Sequence, residues 1–398
     1  MDDYFLKIEP IHLSCFMNII KGGALPKNGH IWELTNEIKP LELYCYLYAK
    51  FGPPNGMQNL LRTDDSDNLI HWEWAFGHED GLITIQGHNF RSEVHCIGDF
   101  KKRSLTVEQL ISQFKGDFKN YGKAITARRL ELEKWEEFLN PYHRIRSTVE
   151  FQINKIEELE LNPAKDKIGN LFQDNDIEGT TKRWDIITEK YTLAIGLTFG
   201  LRAMLPVLAE SFINLLIFVL SRKEIKENER LFNNTIRQNI DIRVQSLHLN
   251  CIGFKNPVDY KSPECKEFHT LMNERNDLLH GNVELSKLSL GNVYFDGTVP
   301  IFEKYEDVWE KTIGLSLNSV KFHTLKEDLN KVNKFIEYVL EQIDPKIKKE
   351  IEIITQKRQL GFNHKTGRIG ILFPDHIVDF RAGPGNNKET APEEPSPL

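Results

Sequence analysis

The sequence predicts an α+β protein: a mixed N-terminal domain with a small antiparallel sheet, then a mainly α-helical bundle. Three observations predict it. Short β-rich runs bounded by turn residues crowd the first hundred positions. Helix-periodic stretches with start and stop signals fill most of the remainder. A run rich in Asn, Asp, Gly and Lys at 162–181 (NPAKDKIGNLFQDNDIEGTT) lies between them. The expected organisation is 1–161 as an α+β sensor or binding domain and 162–183 as linker. A helical domain follows over 184–345, then an extension over 346–382 and a mobile Pro- and Glu-rich tail over 383–398.

The elements follow in order. Pro40 to Phe51 reads as a helix. His71-Trp-Glu-Trp-Ala-Phe alternates weakly, and Leu82-Ile-Thr-Ile-Gln and Ser92-Glu-Val-His-Cys-Ile read as strands around Gly-His-Asn. Thr106-Val-Glu-Gln109 is a capping box that opens a helical stretch. More helix is expected from about Ala124 to Leu139, until Asn140-Pro141 breaks it, and again from His143 to Leu161. Asp296-Gly297, between Val293-Tyr-Phe and Val299-Pro-Ile-Phe, signals a hairpin among helices. Leu325 to Ile343 is a last amphipathic helix stopped by Asp344-Pro345; a short helix and a strand over 368–373 follow.

Composition narrows the function. Apolar residues make up 40% of 398 and charged residues 27%, enough for a packed core. The net charge of −7 excludes a generally basic, nucleic-acid-coating protein, although a local basic patch remains open. The five cysteines form no CxxC pair, and Met1-Asp2-Asp3 is acidic where a signal peptide would be basic. A reducing, cytoplasmic setting is the expectation. The apolar stretch 192–220 holds Arg202, Pro206, Glu210 and Asn214, so it reads as buried core helix and not as a membrane span.

The chemistry concentrates in Glu267-Phe-His-Thr-Leu-Met-Asn-Glu-Arg-Asn-Asp-Leu-Leu-His-Gly-Asn282. On a helix, His269, Asn273, Asn276 and His280 fall within about 40° of one another, a stripe of amides and imidazoles. Phe268, Leu271, Met272, Leu278 and Leu279 form an apolar arc with Arg275 in its middle. A guanidinium at a core-facing register is costly unless paired. The plain reading stays open: arginines snorkel from apolar stripes, and a His before Gly is also an ordinary helix end. Glu210, the single acid on the apolar helix 206–220, is the candidate partner for Arg275, with Asn214 one turn on.

Arg275-Asn276-Asp277-Leu278-Leu279-His280 resembles the Arg-x4-His signature of the HEPN superfamily, the higher eukaryotes and prokaryotes nucleotide-binding domains. The likeness covers about 184–345, and its sharp part is six residues. It implies a bundle of four or more helices acting as a homodimer, with two such motifs meeting in a composite cleft. It further implies a metal-independent endoribonuclease with Arg275 and His280 catalytic, Asn276 in support and, by a looser match, Glu210 on an earlier helix. A toxin-like or antiviral defence role in a prokaryote would follow, with a silencing partner or an activating signal. The hairpin and the long N-terminal region lie outside the family pattern.

Those roles suit the residue types. RNA is cut when its own 2′-hydroxyl attacks the neighbouring phosphorus. An imidazole exchanges protons near neutrality. A guanidinium forks onto phosphate oxygens and stays charged. Arg275 and His280 stand about 140° apart around the helix, a spread that a two-fold dimer relieves. No metal or cofactor is required.

Over 101–129, Lys101, Lys102, Arg103, Lys115, Lys119, Lys123, Arg128 and Arg129 face two acids, with Phe114, Phe118 and Tyr121 interleaved. This is a candidate RNA path, or else a solvated helix face whose aromatics point inward. His71, His78, His88 and His95 beside Cys96 lack the close ligand pairs of a zinc site. Trp72 and Trp74 share one strand face, as core or binding surface. Gly196 and Gly200, four apart, suit close helix packing. No GxxxxGK[ST], GxGxxG after a strand, HExxH or GxSxG occurs. Two further readings stand beside the nuclease. One is a non-catalytic RNA- or nucleotide-binding or dimerisation module; the other is an adaptor in which Arg275 and Glu210 form a buried ion pair.

Overall fold

A computed structural model describes residues 3–21, 29–58, 68–98, 100, 105–168, 177–281, 289, 291–304 and 307–378. The chain is α+β, with helices and antiparallel sheets both present. It forms two compact units. The first joins Met1–Phe138 to Gln359–Leu398; the second is Leu139–Arg358. The division therefore falls at 138/139 and 358/359 and not at the expected linker 162–183, whose residues 177–183 already belong to a long helix. The expected tail 383–398 and Lys101–Arg103 lie outside the described residues.

In the first unit a five-stranded antiparallel sheet runs in the order β1-β3-β4-β5-β2. Its strands are β1 Glu9–Pro10, β2 Gly29–Leu34, β3 Trp72–His78, β4 Gly81–Gly87 and β5 Ser92–Gly98. The helices are α1 Leu13–Lys21, α2 Pro40–Phe51 and α3 Val107–Glu131. One sheet face presents Leu34, Trp74, Phe76, Ile83, Ile85, Val94 and Cys96 to Leu43, Tyr46 and Leu47 of α2 and to Leu110 and Phe114 of α3. Alternation along each strand puts these side chains on one side, where removing them from water stabilises the packing. The opposite face carries Glu73, Gln86 and Glu93, paired across β3, β4 and β5 and all buried. Each buried acid finds donors: Glu73 accepts from Gln86 Nε2 and the Gln58 N–H, both at 2.9 Å.

The capping box forms as expected, with Thr106 Oγ1 accepting from the Gln109 N–H and Gln109 Oε1 accepting from the Thr106 N–H. The helix it opens ends at Glu131, however. Residues Glu136–Leu139 are a strand, β6, in a second sheet of order β10-β9-β6, with β9 Gln359–Asn363 and β10 Arg368–Gly370. Charge and Leu/Phe content made 132–139 look helical. Pairing with a strand more than two hundred residues away decides otherwise.

The second unit is helical: α4 Pro141–Glu158, α5 Ile177–Leu220, α6 Glu229–Arg237, α7 Pro263–His280, α8 Leu325–Glu341 and α9 Pro345–Gln356. Asn140 caps α4 by accepting from the Tyr142 and His143 N–H groups, while its Nδ2 donates to the Ile354 and Lys357 carbonyls at 2.9 and 3.0 Å. Helices α4, α7 and α8 each pack against α5, and α7 packs on α8. By length and apolarity α5 is a described helix able to cross a membrane, with mean hydropathy 2.1, yet 61% of that window is buried within the fold. Leu201, Leu205, Leu208, Phe212, Ile213 and Leu216 place it at the centre of the core. Hairpin β7 Val293–Asp296 and β8 Val299–Phe302 forms as its Asp-Gly turn predicts, with Gly297 at φ 62°.

Candidate active site at the end of a core helix

Ser262 starts α7, its hydroxyl accepting from the Cys265 N–H, with Pro263 in the first turn. Phe268, Leu271 and Met272 are buried, and the Phe268 ring stacks on Phe335 of α8 with centroids 4.2 Å apart. Gly281 ends the helix in the left-handed region at φ 60°, its N–H donating to the Asp277 carbonyl. The apolar arc is thus real over its first two turns. It gives out towards the end, where Leu278 is half-buried and Leu279 is 52% exposed.

Arg275 stands where that arc fades. Its guanidinium is half-buried; Nη1 donates to Asn276 Oδ1 at 2.9 Å, and Nε is buried without an acceptor. No carboxylate reaches it among the described residues. His280, the last helical residue, is exposed, as are His269 and Asn273, so the predicted polar stripe is a solvent face. Tyr260 Oη lies 3.2 Å from His269 Nδ1.

Glu210 is not the partner of Arg275. Its carboxylate takes Arg243 Nη2, and Arg243 Nη1 donates to Asn214 Oδ1 at 2.5 Å. The reading of a buried Arg275–Glu210 ion pair, and of Glu210 orienting the site, is corrected accordingly. Arg243 comes from the short helix Ile240–Gln245 and is 6% exposed. The criterion that singled out Arg275 also fits Arg243, a guanidinium among Ile240, Ile242 and Val244.

Arg202 is the other missed residue. From the middle of α5 it donates to the Val320 and Lys321 carbonyls and to Thr324 Oγ1. It also pairs with Asp328 at 2.8 Å and with Glu274 at 3.6 Å. Glu274 further takes Lys321 Nζ at 2.8 Å, so the residue preceding Arg275 is pinned to α5 and to the approach to α8.

In the first unit, Lys115, Lys119 and Lys123 lie one turn apart on the solvent face of α3, and Arg129 is exposed. Arg128 differs: it lies 3.9 Å over the Tyr48 ring and bonds Glu131 at 2.8 Å. The interleaved aromatics point inward. Phe114 is buried, and Phe118 and Tyr121 pack on Tyr46 at 4.9 and 5.9 Å, so they offer no stacking platform for bases. Buried Asp117 accepts from Lys50 at 2.7 Å, from Tyr46 at 2.8 Å and from Asn120 at 2.7 Å.

The histidines of the sheet are committed elsewhere. His95 bonds Glu93 at 2.8 Å, Arg91 bonds the same carboxylate at 2.5 Å, and His78 lies 3.7 Å from Asp80. Among the described residues no group of three or more His, Cys, Asp or Glu side chains is arranged to hold a metal ion. Trp74 is core and Trp72 packs edge-on against it. A methyl group added at Gly196 would meet nothing within 4 Å, and one at Gly200 would meet Gln152 at 3.6 Å. No protein-family model, curated protein or solved structure matches the chain.

Proposed function

We propose that the helical unit is a HEPN-like, metal-independent endoribonuclease whose reactive groups are Arg275 and His280, with Asn276 holding the guanidinium. The observation that carries this reading is a half-buried arginine that no acid neutralises among the described residues, five residues before an exposed imidazole on the same helix. A half-buried charge without a counter-ion among the described residues is matched by a ligand that brings negative charge.

The chemistry balances without a metal. A base removes the 2′-hydroxyl proton, O2′ bonds to phosphorus, and the P–O5′ bond breaks as an acid protonates the leaving 5′-oxygen. The products are a 2′,3′-cyclic phosphate and a 5′-hydroxyl. His280 serves one proton transfer, and a second copy of the motif across a two-fold axis serves the other. Arg275 neutralises the phosphorane. Lys115, Lys119, Lys123 and Arg129 are basic groups available to RNA phosphates.

The test is incubation of mixed RNA with the purified chain in EDTA. Cleavage is expected to persist with the wild type, vanish in His280→Ala, and spare a substrate carrying a single 2′-deoxy substitution at the cut. Equal cutting by both proteins, or cutting that needs a divalent metal, overturns the reading. One observation favours a binding module instead: His280 has no hydrogen-bond partner among the described residues to orient it. RNA left intact yet bound by both proteins would establish that alternative.

A further inference from the structure

The first unit holds a cleft of about 540 Å³, within the size range of small-molecule sites. Among the described residues its walls come from several segments. The tip between β4 and β5 contributes His88, Asn89 and Phe90; β6 and β9 contribute Glu137 and Gln359; the segment leading into the turn of helix Asp375–Val378 contributes Phe373. None of these groups enters the ribonuclease reading.

The β4–β5 tip is built firmly. The His88 N–H donates to the Arg91 carbonyl at 2.9 Å, and the His71 N–H donates to the Gly87 carbonyl at 2.7 Å. A side chain at Gly87 would collide with the Trp72 ring at 2.0 Å, which keeps that approach open only to glycine. The His71 ring nitrogen Nε2 bonds Asn89 Oδ1. An amide oxygen only accepts, so His71 is the donor, and the Asn89 NH₂ is left to donate elsewhere. Burial lowers the pKa of His88, against the pull of Glu93, which favours its neutral form.

The lining has a clear chemical sense. Among the described residues no Lys or Arg lines it, and Glu137 is the one formal charge there. Phosphates and carboxylates are therefore unsuited, and a ligand must offer donors to the carboxylate. The Asn89 NH₂ asks for an acceptor, and the amide of Gln359 satisfies either sense. Phe90, 76% exposed at the lip, and Phe373 ask for a flat ring. Guanine combines these demands in one plane: adjacent N1–H and N2–H₂ donors for a carboxylate, O6 and N7 acceptors for an amide, and two π faces.

We propose that this cleft binds the base of a guanine nucleoside, with Glu137 on its N1–H and N2–H₂ edge, Asn89 on its O6 or N7, and Phe90 and Phe373 against its faces. Adenine presents an unprotonated N1 to the same carboxylate and is disfavoured.

Titration calorimetry of the full chain with guanosine, adenosine and agmatine tests this. Guanosine is expected to bind at least about tenfold tighter than adenosine. Glu137→Gln should weaken guanosine about tenfold and narrow its margin over adenosine, because an amide can donate to adenine N1. Phe373→Ala should weaken both nucleosides alike. The proposal fails if guanosine shows no binding up to about 1 mM, if Glu137→Gln leaves the preference unchanged, or if agmatine competes as well as guanosine. The last result would mean that a guanidinium alone suffices. Repeating the titration with His280→Ala keeps this outcome separate from the fate of the ribonuclease reading.

Discussion

Three arginines of the helical unit are treated in different ways: the side chains of Arg202 and Arg243 are largely buried, and Arg275 is half-buried. Arg202 and Arg243 are drawn into full coordination, the first by Asp328, Glu274, Thr324 and two carbonyls, the second by Glu210 and Asn214. Among the described residues Arg275, one residue beyond Glu274, meets a single amide oxygen, and its buried Nε finds no acceptor. Arg202 and Arg243 are neutralised within the chain. Arg275 shares its helix end with an exposed imidazole. The contrast separates two largely buried charges paired with acids from a half-buried one that no acid meets among the described residues.

The largest expected effect tests the structural side. Arg202→Ala removes the closer of two cations from Asp328, which is only 3% exposed and keeps Lys331 at 3.1 Å, and it frees the Val320 and Lys321 carbonyls; it should lower unfolding free energy by about 3 kcal/mol in urea titrations. A change below about 1 kcal/mol would show that Arg202 is not structural and would remove the basis of the comparison.

Asp117 is the corresponding anion in the first unit. Burial, the largest influence, pushes its pKa up, but hydrogen bonds from Lys50, Asn120 and Tyr46 outweigh it, and the net shift is downward. A carboxyl with a depressed folded pKa stabilises fully above its unfolded value, near 4, and loses that contribution as pH falls through the folded value. Asp117→Asn should therefore destabilise by about 2 kcal/mol at pH 7 and flatten the acid limb of the stability profile. An unchanged acid limb would assign that pH dependence to other carboxyls.

Arg275→Ala should alter stability by less than about 1 kcal/mol while abolishing RNA cleavage. Destabilisation as large as that of Arg202→Ala would collapse the distinction between the two arginines. The smallest effect on folding belongs to Lys115→Ala, Lys119→Ala and Lys123→Ala combined, on a solvated face. If these lysines meet single-stranded RNA, the slope of log affinity against log salt should fall by about 2, at roughly 0.7 per phosphate contact. An unchanged slope would remove the row from the RNA path.

Much of the local structure is readable in the chain. The capping box at Thr106, the Asn-Pro break at 140–141, the Asp-Gly turn at 296–297 and the Gly281 stop each act through backbone groups a few residues away. Strand β6 was not readable in this way, because its pairing with β9 is between positions more than two hundred residues apart. Strand β2, joined to β5 at the sheet edge, was missed as well; its Gly-His-Ile-Trp-Glu-Leu segment has weak alternation. The site divides similarly. The Arg275–His280 helix and its end follow from periodicity and capping, whereas Arg243 displaced Arg275 as the partner of Glu210.

The sequence by itself determined which residues would form α7, where that helix ends, and that Phe268, Leu271 and Met272 would face the core, since those depend on 3.6-residue periodicity and on Gly281. Only the tertiary structure decided which guanidinium each acid receives, that Phe118 and Tyr121 turn inward, and that the tip after β4 faces Glu137 and Gln359. Ion pairs and clefts depend on distances between segments remote in sequence, and the chain sets those distances only when its core has packed.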